Sequence, residues 1–329
     1  MKHNEVIYGD VLYALSQIDN QSIDTVVTSP PYYGLRDYGK EGQWGLEETP
    51  ELYLLHMKQF MDQIKRVLKD SGTCWINLGD TYAGSGKGAW KEKNKSKETP
   101  ETIPDKRYKL KEDVPKKSKL MIPERFALNC VMDNWILRND IIWYKRNRMP
   151  FSGKDRFTNS FEHIYFFTKN SKYYFDLDPI RESCITESKP SRIKSMENNK
   201  HRKTTQIGYN NSTIQTMSKK HSGIYDMETG KCMNNPKGKN PGDMWDITVK
   251  PFKGSHYATF PIDIPLRIIQ CSCPKDGVVL DPFIGSGTTA QAAQQLSRDW
   301  IGIDIDKNND ELIKKRLNQS SVKPQQRQM

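Results

Sequence analysis

The stretch that decides the fold of this 329-residue chain lies near its carboxyl end and reads Gly277-Val278-Val279-Leu280-Asp281-Pro282-Phe283-Ile284-Gly285-Ser286-Gly287-Thr288-Thr289-Ala290. Residues 278–280 form an apolar run that predicts a buried strand, and residues 288–296 are suited to a helix. The two glycines between them permit a tight turn and a close approach of the backbone to a ligand. The unpaired N–H groups at the helix start favour an anionic group there. The stretch therefore predicts an α/β unit with a ligand-binding turn.

The residues around this turn narrow the choice of ligand. A phosphate loop has the same geometry but requires Gly-Lys-Ser/Thr, whereas Gly287 is followed by Thr288, which disfavours nucleoside triphosphate hydrolysis. Residues 300–306 read as the next strand, which places Asp304 at its end, about 20 residues beyond the turn. An acidic residue at that offset commonly accepts hydrogen bonds from ribose hydroxyls.

A second informative stretch lies near the amino end, where Thr28-Ser29-Pro30-Pro31-Tyr32 follows a run of residues 23–27 that contains Ile23, Val26 and Val27. That run predicts a short buried strand, and two prolines that cannot donate hydrogen bonds end its pairing. Because ligands bind beyond the carboxyl ends of parallel strands, Ser29, the Pro30 carbonyl and the Tyr32 ring should stand together in a cleft. They suit a planar amino group, although a polyproline turn or docking segment is the alternative.

With the glycine turn in the same chain, residues 28–32 resemble the fourth motif of the amino-methylating DNA methyltransferases. These enzymes methylate N4 of cytosine or N6 of adenine with S-adenosylmethionine. The resemblance implies a catalytic group of Ser29, Pro30, Pro31 and Tyr32. Serine at position 29 resembles the N4-cytosine enzymes, since the adenine enzymes usually have Asp or Asn there. We therefore expect base flipping and direct transfer to N4 of cytosine, with N6-adenine methylation as the alternative.

The resemblance also implies S-adenosylmethionine as cofactor, with its methionyl carboxylate at the glycine turn. Asp10 is a plausible helix N-cap, and the resemblance implies that it also contacts the adenine amino group of the cofactor. Phe260 could pack at a helix start, and the resemblance implies that it lines the cofactor pocket. The sequence contains no Cys-x-x-Cys pair, so it does not indicate a zinc site. The expected cofactor-binding residues are Asp10, Thr28, Phe260, Asp281, Pro282, Phe283, Gly285, Ser286, Gly287, Thr288 and Asp304.

Apolar runs predict seven strands separated by helices, and hence a doubly wound, mostly parallel α/β sheet of the Rossmann-like methyltransferase type. Gly72 is a plausible stop for a helix that starts near Leu52, and another helix is expected from about Pro123 to Leu137. The catalytic loop precedes the cofactor turn, which resembles the circularly permuted group labelled β. The strands are expected to begin at about Val6, Ile23, Thr73, Ile141, Glu162, Val278 and Trp300.

We expect four segments: a catalytic half over residues 1–180, a target-recognition segment over 181–243, a cofactor half over 244–320 and a tail over 321–329. Residues 84–120 form a basic insert in the first. This insert and residues 181–243 each hold 12 Lys/Arg and 6 Asp/Glu, so together they account for the net charge of +11.

The basic segments predict a polyanionic partner, here double-stranded DNA. Residues 181–243 mix Lys and Arg with amides, hydroxyls and the rings of His201, Tyr209 and Tyr225, a chemistry that can neutralise phosphates and contact base edges. Both segments are poor in aliphatic residues, so solvated and partly disordered loops are the alternative.

Other classes and partners follow from the remaining features. Carbon-5 cytosine methylation typically uses a Pro-Cys motif, whereas this chain has Cys273-Pro274, and we interpret Cys271 and Cys273 as core residues at a helix end. An RNA or protein methyltransferase and a non-catalytic DNA-binding module stay open. Because the sequence shows no signal peptide and no membrane-spanning run, we expect the protein in the cytoplasm of a bacterial, archaeal or phage-infected cell. We expect a monomer or homodimer, with a possible cognate restriction endonuclease as partner.

Overall fold

A computed structural model describes residues 2–84, 114–148, 150–183, 221–222, 225–226, 235, 237–249 and 260–320. The chain divides into two compact units, one comprising Met1–Asp176 with Gly242–Met329 and the other Leu177–Pro241. Residues 85–113 of the first basic insert, most of the target-recognition segment with His201 and Tyr209, and the tail 321–329 lie outside the described residues.

The first unit is built on an eight-stranded sheet. Its order is β1-β10-β9-β2-β3-β5-β4-β8, and β5 alone runs antiparallel to its neighbours. The strands are β1 (Glu5–Tyr8), β2 (Ile23–Thr28), β3 (Leu68–Leu78), β4 (Ile136–Tyr144), β5 (Phe161–Thr168), β8 (Met244–Asp246), β9 (Val278–Asp281) and β10 (Asp299–Asp304).

The predicted α/β class and permuted order are confirmed by this sheet. All six residues of β2 and all four of β9 are buried, as expected for central parallel strands covered on both faces. Strand β9 lies between β10 and β2, although it follows β2 in the chain by about 250 residues. The early and late halves of the chain therefore share one sheet.

In the part of the first unit that the structure describes, six helices cover the two faces of the sheet. Helix α2 contacts both α1 and α3 over the face that carries Val26, Cys74 and Ile76, whereas α5 contacts both α4 and α6 in the second layer. Alternate residues of each strand point to opposite faces, so each layer has its own core. The helices are α1 (Val11–Ser16), α2 (Pro50–Val67), α3 (Ile122–Met132), α4 (Asp263–Ser272), α5 (Thr288–Gln295) and α6 (Asp310–Ser320).

Several predicted boundaries were wrong, each for a local reason. Helix α3 ends at Met132 rather than Leu137 because Asn134 adopts a left-handed φ of 62°, and the Trp135 N–H bonds to the Cys130 carbonyl, as in a Schellman motif. Strand β4 therefore begins at Ile136. Helix α2 ends at Val67, and Gly72 lies inside β3 where the register shifts; a Cβ there would come within 2.7 Å of Leu68.

The sheet has one strand more than the predicted seven. Strand β8 has only three residues, of which Trp245 is buried, and pairs with β4 at the sheet edge. The second unit contains a short antiparallel pair, β6 (His221–Ser222) and β7 (Tyr225–Asp226). Within the described part of the chain, no helix combines the length and apolarity needed to cross a membrane.

Candidate active site

A cavity of about 460 Å³ opens at the carboxyl ends of β1, β2, β9 and β10. These parallel strands are neighbours in the sheet, so the residues that follow them converge on the same edge. Most residues predicted from the sequence line this cavity, namely Asp10, Ser29, Pro31, Phe260, Asp281, Pro282, Phe283, Gly285, Ser286, Thr288 and Asp304.

Four predicted residues lie outside the cavity lining. Thr28 and Pro30 are buried, and Tyr32 is partly buried next to the loop that carries Ser29. Gly287 faces helix α6 instead, because a Cβ there would be 3.1 Å from Ile313. With a φ of 81°, Gly287 adopts a left-handed conformation as the N-cap residue of α5. Glycine is therefore favoured at this position for steric reasons.

Thr28 and Asp281 join the loop of residues 28–32 to the glycine turn of residues 285–287. The Thr28 hydroxyl donates to Asp281 Oδ1 over 2.6 Å, and the Thr289 hydroxyl donates to Asp281 Oδ2 over 2.5 Å. The Phe283 N–H also donates to Oδ1. Both carboxylate oxygens thus have protein donors, and this contact fixes the end of β2 against the start of the turn.

The buried position of Asp281 changes its acidity. Burial, which penalises the charged form, raises the pKa of this carboxyl to about 6 despite the opposing effect of the two threonine hydroxyls and the Phe283 N–H. The side chain is 3% exposed. Asp281 is therefore a buried connecting residue whose charge state depends on pH.

Two other acids combine a structural contact with a place at the cavity. Asp10 is the N-cap of α1, because its Oδ1 accepts from the Leu12 and Tyr13 N–H groups, each over 3.0 Å. Its second oxygen is then available to a ligand. Asp304 accepts from the Asp306 N–H over 2.7 Å and from Asn309 over 2.9 Å, which orient its carboxylate at the end of β10.

The loop of residues 28–32 is held by contacts to several neighbouring elements. The Tyr53 hydroxyl of α2 donates to the Pro31 carbonyl over 2.9 Å. Ser29 Oγ donates to the Tyr32 oxygen over 3.2 Å, and the Tyr32 hydroxyl lies 2.8 Å from Glu162 Oε2 and 3.0 Å from Asn77 Oδ1. Because the Ser29 proton points at Tyr32, lone pairs of Oγ are available to an amino group.

The segment after this loop, residues 36–44, forms another wall of the cavity and was not predicted from the sequence. Lys40 Nζ lies 3.0 Å from Asp306 Oδ1, so an ion pair connects this segment to the loop beyond β10. The segment ends at Gly45, which lies against the backbone of Tyr32. Only glycine fits there, because its φ is 90° and a Cβ would be 2.8 Å from the Tyr32 carbonyl. The recurrence of glycine among aromatic residues over 33–45 was the signal that could have identified the segment.

The cysteines at the end of α4 are core residues, as predicted. Cys271 and Cys273 are buried, and burial raises the pKa of each thiol to about 12. A thiol protonated at neutral pH is a poor nucleophile. This environment gives no support to a covalent cysteine mechanism.

Comparison with known proteins identifies the family. A family model described as DNA methylase, of the N6/N4 type, matches residues 23–315. The chain is 33% identical over 316 residues to the Type II methyltransferase M.SmaI of Serratia marcescens, with 95% of this chain and 90% of that protein covered. It is 34% identical to M.Cfr9I of Citrobacter freundii over 90% of this chain and 82% of the relative.

Solved structures agree with the fold. The PvuII DNA methyltransferase (cytosine-N4-specific) aligns with a TM-score of 0.57 at 16% identity and covers 97% of this chain and 94% of that chain. A Thermus thermophilus protein described as a putative DNA modification methylase, solved with S-adenosyl-L-methionine, aligns with a TM-score of 0.53 at 18% identity, over 96% and 93% of the chains. The family match over nearly the whole sheet and the extended sequence identity show that this chain belongs to the N6/N4 DNA methylase family.

Proposed function

We propose that this protein transfers a methyl group from S-adenosylmethionine to N4 of cytosine in double-stranded DNA. The observation that carries the proposal is the placement of Ser29, which lines the cavity with its hydroxyl proton directed at Tyr32. A neutral oxygen acceptor at this position suits an amino group. Serine there also resembles the N4-cytosine enzymes, which favours cytosine over adenine.

The cavity fits S-adenosylmethionine in size and in the chemistry of its walls. Asp304 is placed to accept hydrogen bonds from ribose hydroxyls, and the free oxygen of Asp10 from an adenine amino group. The N–H groups at the start of α5 face the turn at Gly285 and Ser286, where a carboxylate is favoured. Asp281 and Thr28 support the cofactor indirectly, through the contact between β2 and the turn.

The chain's own residues mainly position and polarise the base. The cofactor supplies a methyl group on a sulfonium, with a neutral leaving group. Flipping the base out of the duplex costs a few kcal/mol, about 1–3 of which stacking on the Tyr32 ring returns. Ser29 Oγ and the Pro30 carbonyl accept from the amine, which draws its lone pair out of the ring and toward the methyl group. The Pro31 carbonyl is already occupied by Tyr53 and only shapes the loop.

The remaining segments follow the same proposal. Residues 1–180 and 244–320 supply the catalytic and cofactor halves, and residues 181–243 recognise the target sequence. The basic insert 84–120 supplies positive charge that neutralises DNA phosphates, and residues 321–329 are the tail of the chain. Because the relatives above are Type II methyltransferases, we propose that the enzyme protects DNA against a cognate restriction endonuclease.

Product analysis tests the proposal directly. The purified protein is incubated with unmethylated duplex DNA and labelled S-adenosylmethionine, and the DNA is digested to nucleosides for mass spectrometry. We expect labelled N4-methylcytosine. N6-methyladenine would overturn the choice of base, and label only in RNA or protein would overturn the choice of substrate.

The cofactor assignment predicts a binding defect in Asp304→Ala. Loss of hydrogen bonds between this carboxylate and the ribose should raise the Kd of S-adenosylmethionine about 10- to 30-fold, equivalent to about 1.5–2 kcal/mol. The turnover rate at saturating cofactor should change much less. Calorimetric titration gives Kd, and initial rates at saturation give kcat.

Asp299→Ala is the matched control for this variant. Asp299 begins the same strand at its opposite end, where it accepts from Asn4 and pairs with His3 on the surface. It should bind cofactor like the parent protein. Equal Kd values for the parent and Asp304→Ala proteins would remove Asp304 from the cofactor site.

A further inference from the structure

A line of three polar groups leads from the cavity to the opposite side of the catalytic loop. Ser29 Oγ donates to Tyr32, and the Tyr32 hydroxyl donates to Glu162 Oε2 over 2.8 Å. Glu162 does not line the cavity, and nothing in its sequence context identified it. The line begins at the amine-accepting atom and ends at a carboxylate.

Sheet topology brings these groups together. Ser29 follows β2, Asn77 is the second-last residue of β3, and Glu162 is the second residue of β5; these three strands are adjacent in the sheet. Since β5 is antiparallel to β3, its amino end lies at the same edge as the carboxyl ends of β2 and β3. A residue 130 positions from Tyr32 thus meets its hydroxyl.

The surroundings of Tyr32 fix the orientation of its ring and keep its phenol protonated. Its ring packs against Gly79, where a Cβ would come within 2.7 Å of the ring. Burial, followed by the nearby charge of Glu162, raises the pKa of the Tyr32 hydroxyl well above its usual value. A protonated phenol can accept one proton and donate another, as a relay requires.

Glu162 is oriented by a partner of its own. Lys145 Nζ pairs with Oε1, which directs Oε2 to Tyr32, and Lys145 also lies 4.3 Å from the centre of the Trp143 ring. The Glu162 side chain is 16% exposed, so a proton that reaches it can exchange with solvent. Asn77 accepts from Tyr32 as an alternative, but its amide cannot take up the proton.

We infer that Ser29, Tyr32 and Glu162 form a proton relay that removes the proton lost by the exocyclic amine during methylation. As the nitrogen uses its lone pair to bond to the methyl carbon, the bond from that carbon to the sulfonium sulfur breaks and its electron pair stays on sulfur. One N–H bond also breaks, and its electron pair stays on nitrogen. Ser29 Oγ takes that proton, its own proton moves to the Tyr32 oxygen, and the Tyr32 proton moves to Glu162 Oε2. The net change is one proton transferred from the amine to the carboxylate.

This inference rests on the proposed function but not on the choice of base, because cytosine N4 and adenine N6 lose a proton in the same way. Ser29 contacts the amine and is catalytic, whereas Glu162 acts through Tyr32. Two substitutions interrupt the line and keep the local shapes. Tyr32→Phe preserves the stacking ring, and Glu162→Gln preserves the size of the side chain.

Single-turnover methylation of duplex DNA at saturating S-adenosylmethionine is the test. We expect each variant to lower the rate constant about 100-fold, at the lower end of the usual range for proton transfer by a positioned group. The double variant should be no slower than either single one, since one interruption is sufficient. The Kd of the cofactor and the KM for DNA should stay unchanged, and Glu162→Asp should recover part of the rate.

A solvent isotope measurement separates a relay from simple support of the loop. In mixtures of H2O and D2O, the parent rate should fall along a curve because several protons move together, and the variants should lose this curvature. Glu51→Gln is the matched control. Glu51 lies on the surface of α2 and also forms an ion pair, with Arg125 of α3, so its substitution should leave the rate unchanged.

The outcomes distinguish the relay from the proposed function. A Glu162→Gln protein with the parental rate, or additive losses in the double variant, would overturn the relay while the parent still produces the methylated amine. A parent protein that methylates no exocyclic amine overturns both. If Glu162→Gln fails to fold, Tyr32→Phe alone decides by its rate and its isotope effect.

Discussion

Replacing Ser29 by alanine is expected to lower kcat for DNA methylation about 100- to 1,000-fold, the range observed when one positioned polar group is removed from a reacting centre. The variant loses the oxygen that accepts from the amine and the first member of the line to Glu162. The methyl side chain fits the same volume, so the loop should keep its shape. Single-turnover rates on duplex DNA with saturating cofactor measure the effect.

Ser22→Ala is the control for this substitution. Ser22 precedes β2 at the opposite edge of the sheet, where its hydroxyl donates to the Asp19 carbonyl over 2.8 Å. Its loss should leave kcat close to the parental value. The assignment of Ser29 fails if Ser29→Ala binds S-adenosylmethionine, melts at the parental temperature and still methylates DNA at the parental rate.

The central strands and the glycine turn could be predicted from the sequence because each has a strong local signal. Strand β9 begins with three consecutive apolar residues and β2 contains Ile23, Val26 and Val27, a composition typical of strands covered on both faces. Asp10 lies two residues after β1 and Asp304 is the last residue of β10, so predicting the two strands also predicted that both acids lie at the same edge of the sheet. The permuted order was readable because the catalytic loop precedes the turn in the chain.

The elements that were missed depend on contacts between distant parts of the chain. Strand β8 consists of three residues with one buried side chain, too few to show a strand period. The boundary between α3 and β4 depends on Asn134, whose left-handed conformation has only a weak sequence signal. Both decide where the sheet edge lies, but neither moves the site.

The role of Tyr32 shows the same limit at the level of one side chain. The motif predicts an aromatic face for a base, and its ring is compatible with that. The hydroxyl partner comes from β5, and no local pattern indicates that Glu162 should be at the start of an antiparallel strand beside β3. Sequence patterns identify which loops meet, whereas hydrogen bonds between those loops require coordinates.

The connection between the two halves of the site has a consequence for stability. The raised pKa of Asp281, about 6, means that the folded protein holds this proton more tightly than the unfolded chain, in which an aspartate has a pKa of about 3.9. The resulting stabilisation is fully present below about pH 4 and is lost as the pH rises through 6. Two pKa units correspond to about 3 kcal/mol in total.

Asp281→Asn should therefore become more stable relative to the parent as the pH rises. Asparagine cannot titrate; its oxygen can still accept from Thr28 and Phe283, and its amide can donate to Thr289. Urea denaturation without cofactor at pH 4.5 and 7.5 should show the difference in free energy of unfolding, variant minus parent, increasing by about 2 kcal/mol, the part of the total within that window.

Asp299→Asn supplies a control of opposite sign. Hydrogen bonds from Asn4 and His3 hold the pKa of the Asp299 carboxyl below its usual value, so it stabilises the fold above its unfolded pKa and this contribution is lost as the pH falls. For Asp299→Asn, the free energy of unfolding of the variant minus that of the parent should change little between pH 4.5 and 7.5. A difference for Asp281→Asn that is constant over the same range, or that decreases with pH, would contradict the buried carboxyl as a titrating group. In that case the contact between β2 and the glycine turn would carry no cost of ionisation, and the two halves of the site would be joined equally firmly at either pH.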